Sequence, residues 1–320
     1  MTRLMSCGFE TGGILEWFSI TQGGISSSLP RHGTYCFGHS TYVNANWRLP
    51  STYSELYFRS GIKNSNGASV YFKEDTVEHI RITCVGATVI AYAKGALVGT
   101  YTIPGYIAAT WYCIEVYCKI DDDPGLGKII VRVDNVEVIN YTGDTNNAGA
   151  TGAIDRFQLY ASASSAGAFF DDIACDDSEW CGDGYNIAIV PNADVAGSID
   201  LTGSDGNQVD NYALIDEIPV SSSDYVESDV PGESDVYDCT TVTLLSNEVL
   251  KYVSVKATGL LDTSGEGYIQ TLLNADEGNA IALSDVTQHC SYKGYAVDPA
   301  DSGAWSQAKL NALQIGAKIT

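Results

Sequence analysis

The sequence predicts an all-β protein of two β-sandwich (jelly-roll) domains, the second carrying a short helix near its C-terminal end. Three observations point there. Short runs of alternating apolar and polar residues follow one another through the first half of the chain. Turn-forming residues separate those runs at short intervals. Helical periodicity is confined to one stretch near Ala304. A chain of 320 residues has the length for two ordinary domains, and 45% hydrophobic residues suffice for a core in each. The expected division is residues 1–177 and 178–320.

In residues 78–84, Ile80, Ile82 and Cys84 share one face and His79, Arg81 and Thr83 the other, the pattern of a half-buried strand. A strand at 88–93 follows, Lys94-Gly95 turns the chain, and 97–102 returns. Residues 111–120 alternate again, with Ile114, Val116 and Cys118 opposite Cys113, Glu115 and Tyr117. Asp121-Asp122-Asp123-Pro124-Gly125 is turn chemistry. Residues 128–133 and 136–141 form a hairpin about Asp134-Asn135, a pair that tolerates the positive φ of a tight turn. Strands at 156–161 and 168–175 complete the unit. Gly8-Phe9-Glu10-Thr11-Gly12 opens it and Phe169-Phe170-Asp171-Asp172-Ile173 closes it, so its first and last strands are expected to meet.

The second unit begins near Gly184. It contains a polar Asp/Ser/Gly-rich stretch at 192–211 and an acidic serine-rich loop at 221–238. Strands are expected at 251–258, 267–273 and 280–283. Asp301-Ser302 is placed to cap a helix over 304–313, Gly316 to stop it, and 317–320 to add a last strand. Trp305 is expected to anchor that helix in the core.

The formal charge of −23 is unevenly spread. Up to Asp177 there are 12 Lys and Arg against 18 Asp and Glu, and beyond it 5 against 22. A surface this acidic repels phosphate, which argues against direct binding of nucleic acid. No apolar run approaches the roughly 18 residues that span a bilayer. The opening residues lack the apolar core of a secretory signal, so synthesis in the cytoplasm without membrane insertion is expected.

None of the nine cysteines forms a CxxC pair, so a zinc ribbon or thioredoxin-type site has no support. Cys113 and Cys118 sit at an odd spacing on one strand and face opposite sides of it. Cys175 and Cys181 flank a loop and are the candidates for a disulfide; buried free thiols are the other reading. The histidines His32, His39, His79 and His289 adjoin no nucleophile elbow, and Cys36 with His39 is too small a set for a metal site. Among 20 Tyr and 5 Trp, Tyr53, Tyr57, Tyr106 and Trp111 are candidates for a sugar-stacking platform, although core packing and cross-strand pairing account for such rings more simply.

Residues 8–175 resemble a concanavalin A-like, laminin-G-type domain. The matching pieces are Gly8-Phe9-Glu10-Thr11-Gly12, the strand at 111–116, the strand end Val131-Arg132-Val133-Asp134, and Phe170-Asp171-Asp172-Ile173. The second half is similar to the region that follows such domains in tailed-bacteriophage virion proteins, through residues 211–219, Asp224-Tyr225-Val226 and 305–316. The resemblance implies a non-enzymatic structural component of a phage particle (a capsid decoration, fibre or tail-associated protein) that works through contacts with other virion proteins, as a homo-oligomer. The alternative it implies is a carbohydrate-binding adhesin that attaches the particle to host glycans. Related glucanases carry Glu-x-Asp-x-x-Glu on one strand, and no such run occurs here. Adjacent Asp171 and Asp172 should diverge on a strand and so cannot flank a scissile bond. Lectin-like sandwiches often hold a structural calcium where first and last strands meet. The residues matching that pattern are Glu10, Asp171 and Asp172.

Overall fold

Alternation of apolar and polar residues builds two antiparallel sheets that face each other across one aromatic core. The computed structural model describes residues 3–17, 19–39, 42–63, 67–162, 167–261, 266–284 and 287–320. The chain divides into two units, Met1–Glu10 with Trp17–Ile187, and Thr11–Glu16 with Ala188–Thr320.

In the first unit, the front sheet runs in the order Val136–Thr142, Lys128–Val133, Tyr112–Lys119, Glu55–Lys63, Ala168–Asp176, Cys36–His39 and Gly24–Ser26. Arg3–Cys7 adds to the far end of Ala168–Asp176, with Cys7 opposite Ile173, so the first and last strands do meet. The back sheet runs Ala96–Thr102, Thr88–Ala93, Val77–Val85, Ala68–Glu74, Ile154–Ala161, Val43–Tyr53 and Ser19–Gln22. Phe58 of the front sheet meets Phe72 and Phe157 of the back sheet edge-on, at 5.4 and 5.0 Å between ring centroids. Trp17 stacks on Phe9 and Phe37 and sets its edge against Trp47 and Phe157. Asp134 and Asn135 take the positive φ expected of their hairpin turn.

Four details of the first unit and its boundary depart from the sequence reading, and in the second unit the stretch expected as a loop at 221–238 ends in the strand Ser234–Cys239. His79 is fully buried rather than outward-facing, because a register shift between Phe72 and Lys73 breaks the alternation beside it. Residues 178–187 belong to the first unit rather than the second, since they bond to its front sheet. The structure contains no disulfide among the described cysteines. Cys175 is paired with Phe58 and shares its core-facing side, whereas Cys181 reaches the Tyr57 carbonyl from the strap that covers the other side. Finally, the Asp171-Asp172 pair does not diverge as a regular strand requires, for reasons given below.

The second unit is also a β-sandwich, though a lopsided one. A six-stranded sheet orders Pro191–Ile199, Ser234–Cys239, Gln314–Ile319, Tyr268–Leu273 and Asp276–Glu277, with Ile281–Ala282 also on Tyr268–Leu273. The ladder of Val253–Gly259 with His289–Tyr295 faces it across a core that includes Val253, Val255, Leu273, Tyr295, Trp305 and Leu313. Trp305 is buried there and donates its indole N–H to the Tyr295 carbonyl at 3.0 Å. The helix is one short turn, Gln307–Asn311, capped by Ser306 rather than by Asp301-Ser302. Gly316 lies inside the last strand and does not stop the helix. A Cβ there would strike the Asp235 carbonyl oxygen, so glycine permits the close pairing.

Core truncation should be costly in the first unit. Phe58→Ala is expected to lower the unfolding free energy by about 3–5 kcal/mol, measured by urea denaturation.

Candidate functional site

The outer face of the front sheet is closed by polar bonds. Asp172 sits at φ 48°, a left-handed conformation, and the pairing register shifts between Asp171 and Ala174. This bulge turns both carboxylates toward the loop at residues 31–35. Asp171 accepts the Arg31 backbone N–H at 2.8 Å and the Asp172 N–H at 2.7 Å. Asp172 accepts the Arg31 guanidinium at 3.1 Å and the Asn186 N–H at 3.1 Å, and lies 2.6 Å from His32 Nδ1. Glu10 accepts the N–H groups of Thr34 at 2.7 Å and Tyr35 at 3.2 Å. Gly33 is required between them: its φ is +64°, and a Cβ would strike the Glu10 carboxylate.

The three residues proposed for calcium therefore do converge on one place, but they hold a loop and an arginine. Among the described residues, no group of three or more His, Cys, Asp or Glu side chains is disposed to hold a metal ion. Burial, then the neighbouring Asp172 charge, pushes Asp171 up to about 8. Burial likewise raises Glu10, against the pull of its two N–H donors.

A strap at residues 180–186 seals the same face. Arg59, 3% exposed, donates to the carbonyls of Asp172 and Gly182 at 2.8 and 2.9 Å. Glu115 accepts the Gly182 N–H at 2.8 Å. Trp180 packs edge-on to Tyr57 and carries the Arg132 guanidinium 3.7 Å from its ring centroid.

The back sheet is different. Its outward side chains form rows across the strands, fixed by register. Asn46, Gln158, Tyr71, Arg81 and Tyr92 occupy consecutive cross-strand positions, with Ser19 and Leu97 at the two ends. Tyr71, Arg81 and Tyr92 remain partly exposed. The Arg81 guanidinium lies 4.1 Å from the Tyr92 ring centroid and 5.5 Å from that of Tyr71, held between two rings. Tyr160, in the adjacent row, meets Tyr71 and Tyr42 edge-on at 5.7 and 5.5 Å. Gln158 donates to the Asn44 side-chain oxygen at 2.6 Å, and Asn46 to the Ser19 hydroxyl at 3.1 Å. These contacts fix the side chains in place before any ligand arrives, which lowers the entropy lost on binding.

The aromatic residues singled out in the sequence do not gather. Tyr57 lies beside Tyr117 and Trp180 on the front sheet, and Tyr106 stacks on Tyr112. Trp111 donates its indole N–H to the Leu29 carbonyl, and Tyr53 ends a strand opposite Ile154. Of the histidines, His32 is held by Asp172 and His79 is buried, while the side chain of His39 lies outside the described residues. The row on the back sheet carried one local signal in the sequence: polar or aromatic residues at alternate positions, as in Asn44-Ala45-Asn46 and Tyr71-Phe72-Lys73.

No protein-family model matches the chain, and no curated protein matches it. Solved structures resemble its fold. The carbohydrate-binding module CBM66 from Bacillus subtilis is 12% identical, with a TM-score of 0.34, over 50% of this chain and 95% of that one. A protein of unknown function with a galectin-like fold, also from Bacillus subtilis, is 11% identical with a TM-score of 0.38, over 55% of this chain and 96% of that one. The galectin LEC-6 of Caenorhabditis elegans is 9% identical with a TM-score of 0.30, over 41% and 89%. These likenesses concern the β-sandwich alone.

Two outcomes are expected of the sealed face. Arg31→Ala leaves Asp172 buried without its cation and should cost about 3–5 kcal/mol in urea denaturation. Asp171 keeps its proton up to about pH 8 when folded but releases it near 3.8 when unfolded. Its contribution is therefore full below about pH 4 and is lost as pH rises through about 8. The stability of the wild type relative to Asp171→Asn should fall across that interval.

Proposed function

We propose that the protein is a non-catalytic carbohydrate-binding protein, and that its first unit holds glycan against the outer face of the back sheet. The observation that supports this reading best is the row Asn46, Gln158, Tyr71, Arg81 and Tyr92 on an unsealed sheet face. Sugars present apolar C–H faces beside dense rings of hydroxyls. Tyrosine rings match the first, and amide and guanidinium groups match the second, each offering paired donors or acceptors. A flat row along several strands suits an extended chain of sugar units better than a single enclosed ring. A hydrolase would need two carboxylates set across a cleft. Beside this row a single carboxylate, Glu78, lies within 4 Å of Arg81 among the described residues, 3.7 Å from its Nε.

The sequence resemblance to virion proteins supports a second, compatible element. In this reading the module is borne on a phage particle, where the acidic second unit makes the protein–protein contacts and repeated copies multiply weak glycan affinity. Mass spectrometry of purified particles tests it, and absence of the chain from them removes it.

The binding reading is tested on a glycan array. The wild type is expected to retain defined glycans, and Tyr71→Ala and Arg81→Ala each to reduce retention about tenfold or more, with melting temperatures near that of the wild type. Unaltered retention by both variants would refute the back-sheet site.

A further inference from the structure

Resting on the carbohydrate reading of the back sheet, we propose that the glycan taken there is acidic: a polysaccharide bearing carboxylate or sulfate groups, with Lys73 and Arg81 receiving one such group beside Tyr71.

The placement follows from the strands. Tyr71 and Lys73 lie two apart on Ala68–Glu74 and so share its outward side, and Arg81 is the cross-strand partner of Tyr71. Lys73 Nζ stands 5.2 Å and Arg81 Cζ 5.5 Å from the centroid of the Tyr71 ring, so two cations flank one aromatic surface. Two of the three carboxylates around them are already committed. Asp155 and Asp75 both bind Arg156, at 2.9 and 3.1 Å. Glu78 opposes Lys73 in the register, and its Oε1, without a hydrogen-bond partner among the described residues, lies 3.7 Å from Arg81 Nε. Arg81 Nε is buried and has no hydrogen-bond partner among the described residues. Lys73 forms no ion pair within 4.0 Å among the described residues. Burial holds its ammonium below the usual range, with Glu78 pulling upward and Arg156 adding to the depression. An anion between Lys73 and Arg81 would pair the Lys73 ammonium and the part of the Arg81 guanidinium that faces solvent.

Charge distribution adds weight. The chain carries −23 overall, so a polyanion is repelled by most of its surface. Arg48, Lys73, Arg81 and Arg156 nonetheless stand on this face, within two adjacent rows. An acidic chain laid along the strands would find its attraction there and repulsion elsewhere, which fixes where it binds.

The experiment uses the full chain and matched pairs of polysaccharides in affinity electrophoresis: polygalacturonate against its carboxyl-reduced form, and dextran sulfate against dextran. The acidic member of at least one pair is expected to bind about tenfold or more tightly, and which pair responds separates carboxylate from sulfate. That preference should shrink as salt rises from about 50 to about 500 mM. It should also shrink at least about fivefold in Lys73→Ala and in Arg81→Gln, each with a melting temperature near that of the wild type. Equal binding of acidic and neutral members overturns the inference and leaves the carbohydrate reading standing. An acidic preference that persists in both folded variants places the anion elsewhere and also overturns it. Failure of the folded wild type to retain any glycan, in these pairs or on the array, overturns both.

Discussion

The first unit depends on the left-handed turn at Asp172 and the arginine it faces. A strand that continued straight through Asp171 and Asp172 would send the two carboxylates to opposite sides, one of them into the aromatic core. The bulge instead gives both to the loop carrying Arg31 and His32. A buried acid is tolerable only with its partners supplied, and here they are two backbone N–H groups for Asp171 and a guanidinium with a backbone N–H for Asp172. Glu10 repeats the arrangement one residue group further along the same loop. The join between first and last strands is thus a cluster of protein donors around three acids.

The division of labour between the sheets follows from this closure. Arg59, Glu115 and Asp172 bind the strap at 180–186, which covers the part of the front face above them. Among the described residues, the back face shows no comparable set of buried ions bonded to a covering segment. Its side chains satisfy one another laterally, arginine between tyrosines and amide against amide, and Tyr71, Arg81 and Tyr92 stay partly exposed. Lateral support of this kind produces a rigid polar and aromatic surface that still faces water, which suits recognition of a polar, extended ligand.

Much of the fold was legible because strands with one buried side announce themselves by alternation. The hairpin about Asp134-Asn135, the strands flanking Lys94-Gly95 and the meeting of the unit's ends all followed from local pattern. The misreadings have local causes too. Ser234–Cys239 hides its alternation because one inward residue is Asp235, which is buried and satisfied by Asp200, Leu201, Asn211 and Tyr237. His79 turned inward at a register shift, which alternation does not reveal. The three acids were found as a cluster, but their partner was not: Arg31 is 140 residues away from Asp171 in sequence, and only the fold brings them together. The back-sheet row was missed for the same reason. Its members come from separate strands, and their alignment is a property of cross-strand register.

The central claim is that the open back-sheet face is the binding surface. It is tested most directly by amide chemical-shift mapping of the full chain during titration with polygalacturonate or dextran sulfate oligosaccharides. The account predicts that shifts concentrate on Ala68–Glu74, Val77–Val85, Thr88–Ala93 and Ile154–Ala161. Shifts confined to the strap at 180–186 or to the second unit would contradict it.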